Sequence, residues 1–124
     1  MNTPIWHLAL PADWERLAPI GSYDISTRGM TLEQVGFIHC SHRHQIEGVA
    51  QRFYADLDEV LLLEIDPARL GVDIVEEPPA PGVDEMFPHA YGPIDIDAVI
   101  GVTRWVRDGA VWRLPDQGPV NTPE

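Results

Sequence analysis

Histidines are the residues of this chain best suited to chemistry near neutral pH, because an unperturbed imidazole titrates there. Three of the five, His7, His39 and His89, lie in apolar or Pro/Gly-flanked segments that resemble strands. An imidazole buried in such a segment needs a hydrogen-bond partner, and a bound ligand is one candidate. A backbone group of the protein is the other candidate, and it would make each histidine a purely structural residue.

A run of candidate metal ligands overlaps this set, since His39, Cys40, His42 and His44 fall within six residues. Four such side chains are what a structural zinc ion requires. The pleat of a strand turns His39 and Cys40 to opposite faces, however, and His42 and His44 at a helix start do not converge. We therefore expect no metal site, an unreactive buried thiol, and solvated side chains at His42 and His44.

The charge balance restricts the class of ligand. Eight basic against twenty acidic residues give a formal net charge of -12, and no basic run could follow a phosphate backbone. Non-specific nucleic-acid binding is thus disfavoured. An anionic small molecule would need local donors, and the candidates are Ser41, Arg28, Arg43 and the backbone N–H groups at the start of the main helix.

Hydrophobic periodicity predicts the strands that must position the histidines. Residues 5–10 predict a first strand that carries His7. Residues 36–41 predict a second apolar strand, and its pleat places His39 and Ser41 on one face. These two side chains are therefore expected to share an environment.

Short helices are predicted between and after these strands. Pro11 suits the first turn of a short helix, and residues 22–29 read as a loop. Thr31 is expected to cap a helical turn that ends at Gly36. The main amphipathic helix is predicted over residues 43–55, where apolar residues recur at helical spacing.

The second half of the sequence predicts mainly strands. Residues 59–66 are an almost continuous apolar run and predict a central strand, whereas residues 72–76 alternate and predict a half-exposed one. The segments 98–106 and 110–114 flank Asp108-Gly109, which predicts a hairpin.

These elements predict one α+β domain over residues 1–114 and an unpacked C-terminal tail over residues 115–124. The proline-rich loop 78–82 is expected to be the most mobile element. The single cysteine forms no internal disulfide, and the sequence lacks a secretory signal or a membrane-spanning run, so we expect a cytoplasmic protein that does not bind membranes. We expect a monomer or a weak homodimer.

The chain resembles the bacterial family catalogued as domain of unknown function 952. The residues that carry the resemblance span nearly the whole chain. They are Ile5-Trp6-His7-Leu8, Gly36-Phe37-Ile38-His39-Cys40-Ser41, Arg52-Phe53-Tyr54, Leu63-Glu64-Ile65-Asp66-Pro67 and Phe87-Pro88-His89-Ala90-Tyr91-Gly92-Pro93-Ile94.

That family is in turn similar in fold to ADP-ribosyltransferases, which bind NAD in a cleft between two small sheets. The resemblance implies two small mixed or antiparallel sheets in a split sandwich, one main helix and short connector helices. It implies that His7 holds ribose hydroxyls and that His39 with Ser41 supports the cleft. Where such folds carry a glutamate, this sequence offers His89 and Tyr91, with Glu85 nearby in a loop.

The resemblance thus implies four catalytic candidates, which are His7, His39, His89 and Tyr91. NAD is the implied cofactor or substrate. Two functions are open: a transferase that acts on NAD or a related nucleotide, and a non-catalytic domain that binds a nucleotide or another small ligand. A protein-interaction scaffold is a third.

Overall fold

The computed structural model describes residues 3–114. They contain ten strands and three α-helices. The strands are β1 (Ile5–Ala9), β2 (Ser22–Tyr23), β3 (Ile25–Thr27), β4 (Met30–Thr31), β5 (Ile38–His39), β6 (Glu59–Ile65), β7 (Ile74–Glu77), β8 (Phe87–Ala90), β9 (Ile94–Asp95) and β10 (Val99–Val106). The helices are α1 (Pro11–Leu17), α2 (Leu32–Val35) and α3 (Ile46–Phe53). The predicted α+β class is confirmed, and the predicted tail at 115–124 lies outside the described residues.

The first sheet has the strand order β1-β6-β10, and both pairings are antiparallel. Its central strand β6 matches the strand predicted there. Successive side chains of β6 enter two different cores, since Val60 and Leu62 pack on one face and Leu63 and Ile65 on the other. Because both faces are covered, the strand reads as a continuous apolar run rather than an alternating one.

The second sheet has the order β5-β8-β7 and is also antiparallel. His39 on β5 and Val75 on β7 both lie opposite His89 on β8. The two sheets meet where Trp6 of β1 and Ser41, just beyond β5, exchange backbone hydrogen bonds of 2.8 and 2.7 Å. This bridge joins β1 to the residue that follows edge strand β5 of the second sheet.

Helix α3 covers one face of the first sheet. Ile46 and Ala50 are fully buried there in a core that also contains Trp105 and Trp112. A 3-10 turn, Arg43–Gln45, precedes the α-helix, which ends two residues before the predicted boundary at residue 55. None of the helices within residues 3–114 has the length and apolar character needed to cross a bilayer.

Helix α2 is confirmed, with the cap that its sequence predicts. The Thr31 hydroxyl accepts from the Gln34 backbone N–H at 3.3 Å, and the Gln34 side chain accepts from the Thr31 N–H at 2.8 Å. Gly36 ends the helix with φ of 103°, a left-handed conformation that favours glycine. The left-handed conformation of Gly36 turns the chain from the end of α2 towards β5.

Two predictions about local structure are wrong. Residues 22–29 do not form a plain loop but contribute β2 and β3, and Tyr23 is fully buried. Residues 110–114 do not form a strand, since only Val111 bridges to Asp108 and Trp112 packs into the core instead. The predicted half-exposed strand is present, but it covers Ile74–Glu77 rather than residues 72–76.

Candidate functional site

A cavity of about 370 Å³ opens beside the bridge between the two sheets. Ligand pockets usually occupy about 300–1,000 Å³, so its size is at the lower end of that range. The lining residues come from β1, β3, β5, α3 and the β7–β8 region. They are His7, Leu8, Ser26, Thr27, Arg28, His39, Cys40, Ser41, Val49, Arg52, Phe53, Tyr54, Pro79 and Phe87.

His7 lines the cavity but has no free nitrogen. Its Nδ1–H donates to the backbone carbonyl of His39 at 2.6 Å, so the neutral ring must use Nε2 to accept from the Tyr23 hydroxyl at 3.0 Å. Burial lowers the pKa of His7 to about 4, which keeps it neutral at physiological pH. In this arrangement His7 links three segments of the fold, and a ligand would have to displace Tyr23 to bond to it.

His39 and Ser41 present unbonded polar groups to the cavity. The half-buried His39 ring and the Ser41 hydroxyl make no side-chain hydrogen bond within residues 3–114. Burial, together with the neighbouring His89, lowers the pKa of His39 to about 4. At neutral pH the cavity therefore offers an uncharged imidazole and a hydroxyl side by side.

Two arginines line the cavity, and they differ in their partners. Arg28 donates to both carboxylate oxygens of Asp56, at 2.7 and 2.8 Å, and its pairing lowers the pKa of Asp56 to about 2. Arg52 makes no ion pair with any residue in the described range, and no carboxylate lines the cavity there. Arg43 and Arg113 also form no ion pair within residues 3–114, but of these three arginines only the exposed Arg52 lines the cavity.

Cys40 also reaches the cavity wall, although its side chain is almost completely buried. Burial raises the pKa of its thiol to about 12. A thiolate is the nucleophilic form of cysteine, so this group is unreactive at neutral pH.

His89 and Tyr91 do not line the cavity but form a cluster next to it. His89 is fully buried, its Nδ1 lies 2.8 Å from a Glu77 carboxylate oxygen, and Tyr91 donates its hydroxyl to the same oxygen. These two hydrogen bonds lower the pKa of Glu77, the one from Tyr91 more strongly. Phe37 stacks on His89 with ring centroids 4.0 Å apart.

The other candidates lie outside the cavity. The Arg43 guanidinium lies 5.1 Å from the centroid of the Trp6 ring. His42 Nε2 is 2.8 Å from a Glu76 oxygen, and the His42 and His44 rings stack at 6.0 Å. Within residues 3–114 no three His, Cys, Asp or Glu side chains are gathered in a way that could hold a metal ion.

Sequence reasoning missed Arg52, Phe53, Glu77 and Tyr23. Arg52 and Phe53 belong to a motif that carries the family resemblance, and that motif was the available signal. Glu77 and Tyr23 had no such signal, because one follows the predicted end of a strand and the other lies in a segment predicted as loop. Their roles depend on long-range strand pairing.

The sequence matches the model of the family described as "Protein of unknown function (DUF952)" over residues 8–102. The chain belongs to this family. A comparison with curated proteins gave no significant match.

Solved structures show where this fold has been seen before. The solution NMR structure of CC0527 from Caulobacter crescentus is 25% identical, with a TM-score of 0.76, and the alignment covers 97% of this chain and 100% of that chain. The crystal structure of the same protein is 24% identical, with a TM-score of 0.74 and coverage of 89% and 92%. The likeness extends over essentially the whole domain, and it concerns the fold.

Proposed function

We propose that the cavity binds an anionic small molecule of the nucleotide class, such as a mononucleotide, ADP-ribose or one half of NAD. The observation that carries this proposal is Arg52, a cavity arginine without a carboxylate partner among the described residues. An arginine presents several N–H donors in a geometry that suits phosphate.

The rest of the wall fits the other parts of such a ligand. Leu8, Val49 and Phe53 supply apolar surface suited to a base or a sugar face. His39 and Ser41 supply unbonded polar groups suited to hydroxyls. The small volume accommodates one nucleotide moiety, so a dinucleotide would extend out of the open side.

The formal net charge of -12 gives the protein a negative electrostatic potential that repels an anionic ligand. Local donors must therefore outweigh a repulsive background. We expect modest affinity that depends strongly on Arg52, in the micromolar to millimolar range.

Calorimetric titration of the full chain with AMP, ADP-ribose and NAD tests the proposal. Arg52→Gln should weaken binding by about 10-fold or more, since a charge-assisted hydrogen bond contributes about 1.5–3 kcal/mol. Arg113→Gln is the matched control, because Arg113 is exposed, does not line the cavity and makes no ion pair in the described range. It should change the affinity by less than about twofold.

A second pair of variants tests the histidine. His39→Ala should weaken binding by about 3- to 10-fold, whereas His42→Ala should have little effect, because His42 pairs with Glu76 away from the cavity. Absence of binding to all three compounds at millimolar concentration would remove the nucleotide proposal. Equal losses in the two variants would place the ligand elsewhere.

ADP-ribosyl transfer is the second candidate, and it rests on the resemblance to ADP-ribosyltransferases and on Glu77. No carboxylate lines the cavity in the described residues, which favours binding without transfer. Glu77 is nevertheless connected to the cavity wall, since it bonds to His89, whose ring contacts His39. Release of nicotinamide from NAD that is abolished in Glu77→Gln would support transfer, and no release in the wild type would leave a binding domain.

A further inference from the structure

One buried nitrogen lacks a hydrogen-bond partner. Among the residues described, His89 Nε2 is the one buried side-chain polar atom that bonds to nothing in the protein. A carboxylate only accepts, so the 2.8 Å contact with Glu77 requires a proton on His89 Nδ1. In the neutral imidazole, Nε2 is then a bare acceptor, and an unmatched buried acceptor calls for a specific explanation.

His39 is the group placed to supply the missing donor. The two histidines are register partners across β5 and β8, and their ring centroids are 5.0 Å apart at an interplanar angle of 86°. The His39 centroid is also 4.9 Å from that of Phe37, which stacks on His89 at 4.0 Å. Because His39 is almost equally distant from both stacked rings, it lies beside the stack and faces ring edges rather than a ring face.

We propose that Glu77 and His89 act as positioning residues that fix the tautomer of His39. The two rings are not hydrogen-bonded in the structure, and the proposed arrangement requires the His39 ring to turn about its terminal side-chain torsion so that one N–H donates to His89 Nε2. The other nitrogen of His39 then carries a lone pair and faces the cavity. Through this chain of three groups, the half-buried Glu77 carboxylate makes His39 a defined hydrogen-bond acceptor at the cavity wall.

The chemical class of ligand follows from this arrangement, and this step rests on the proposed function. An acceptor nitrogen selects a ligand that presents a hydroxyl or N–H donor, such as a ribose hydroxyl. His7 does not offer an alternative acceptor, because Tyr23 and the His39 carbonyl occupy both of its nitrogens. His39 is therefore the cavity imidazole that can favour a hydroxylated sugar, next to the Ser41 hydroxyl.

The tautomer is measured on the full chain without ligand, by long-range ¹H–¹⁵N NMR of the imidazoles. We expect a single His39 tautomer in the wild type and a mixture in Glu77→Gln, because the neutral amide no longer fixes the proton on His89 Nδ1. Glu76→Gln is the matched control. It neutralises the adjacent glutamate of β7, which pairs with His42 instead, and should leave His39 unchanged. A tautomeric mixture already in the wild type, or no difference between the two variants, would overturn the proposal.

The ligand preference is measured with AMP and 2′,3′-dideoxy-AMP. We expect the wild type to bind AMP about five- to tenfold more tightly, and Glu77→Gln to reduce the ratio to about twofold or less. Binding of both nucleotides with equal affinity would overturn the inferred preference while the nucleotide proposal stands. Binding of neither would remove the nucleotide proposal and the ligand preference together, and the tautomer measurement would still decide the positioning role.

Discussion

The first and second sheets have the same number of strands and the same antiparallel pairing, yet they bury different side chains. The central strand of the first sheet buries aliphatic residues, such as Leu63, on both faces. The central strand of the second sheet buries His89, beside His39 and close to Glu77. Apolar burial always favours folding, whereas a buried imidazole does so only when its nitrogens are bonded. Both sheets bury apolar side chains, for example Phe87 and Ala90 on β8, but the second sheet also buries an imidazole whose Nε2 has no partner among the described residues.

Among the variants that test this difference between the two sheets, Leu63→Ala should have the largest effect on stability. Leu63 is fully buried in β6, so truncation should lower the free energy of unfolding by about 2–5 kcal/mol. Denaturant unfolding measures the loss, and titration with AMP under native conditions should show an unchanged affinity per folded molecule. A loss below about 1 kcal/mol would show that the first sheet does not dominate stability.

The next test concerns His7, which belongs to the first sheet but bonds to the backbone of the second. Its pKa is about 4 in the folded protein and 6.5 ordinarily, so the unfolded chain binds the extra proton first. The contribution of neutral His7 to the free energy of unfolding should be fully present above about pH 6.5. It should decrease as the pH falls towards 4. At pH 5 the loss from this one group should be about 2 kcal/mol.

His7→Phe separates this effect from other titrations. At pH 7 the variant should be less stable by about 1–3 kcal/mol, because the Tyr23 hydroxyl and the His39 carbonyl lose their partner. Its stability should depend less on pH between 6.5 and 5 than that of the wild type. Parallel pH profiles would show that the imidazole is not held neutral by burial.

Local chemistry explains which parts of the fold could be predicted. Thr31 and Gly36 were enough to predict helix α2, and the apolar run 59–66 was enough to predict the central strand. Each signal depends on neighbouring residues alone. The shared face of His39 and Ser41 followed from the pleat, and both line the cavity. Within one strand, sequence spacing was therefore sufficient.

Contacts between distant segments explain the rest. The cavity wall combines β1 and β5 with Arg52 on α3 and Pro79 after β7, and no local pattern shows that these meet. Tyr23 lies in a two-residue strand paired with β9, which is too short for a periodic signal. The Asp108-Gly109 turn did form, with Gly109 at φ of 63°, but the segment after it packs Trp112 into the core rather than pairing as a strand.

The smallest expected effect sharpens the contrast between the sheets. Thr31→Ala removes the cap of α2, which leads directly into β5, and should cost about 1 kcal/mol of unfolding free energy. Because the capped helix leads into the second sheet and not into the first, native-state hydrogen exchange should accelerate at the Cys40 amide, which donates to the Pro88 carbonyl at 3.1 Å. Amides of β6 should be unaffected beyond the global change.

Thr103→Ala is the matched control, because Thr103 is an exposed residue on the edge strand β10 of the first sheet and caps no helix. It should change stability by no more than about 0.5 kcal/mol and leave the exchange of the Cys40 amide as in the wild type. If Thr31→Ala instead accelerated exchange equally in β6 and at Cys40, the two sheets would open as one cooperative unit. The difference between them would then lie in the side chains they bury and not in their local stability.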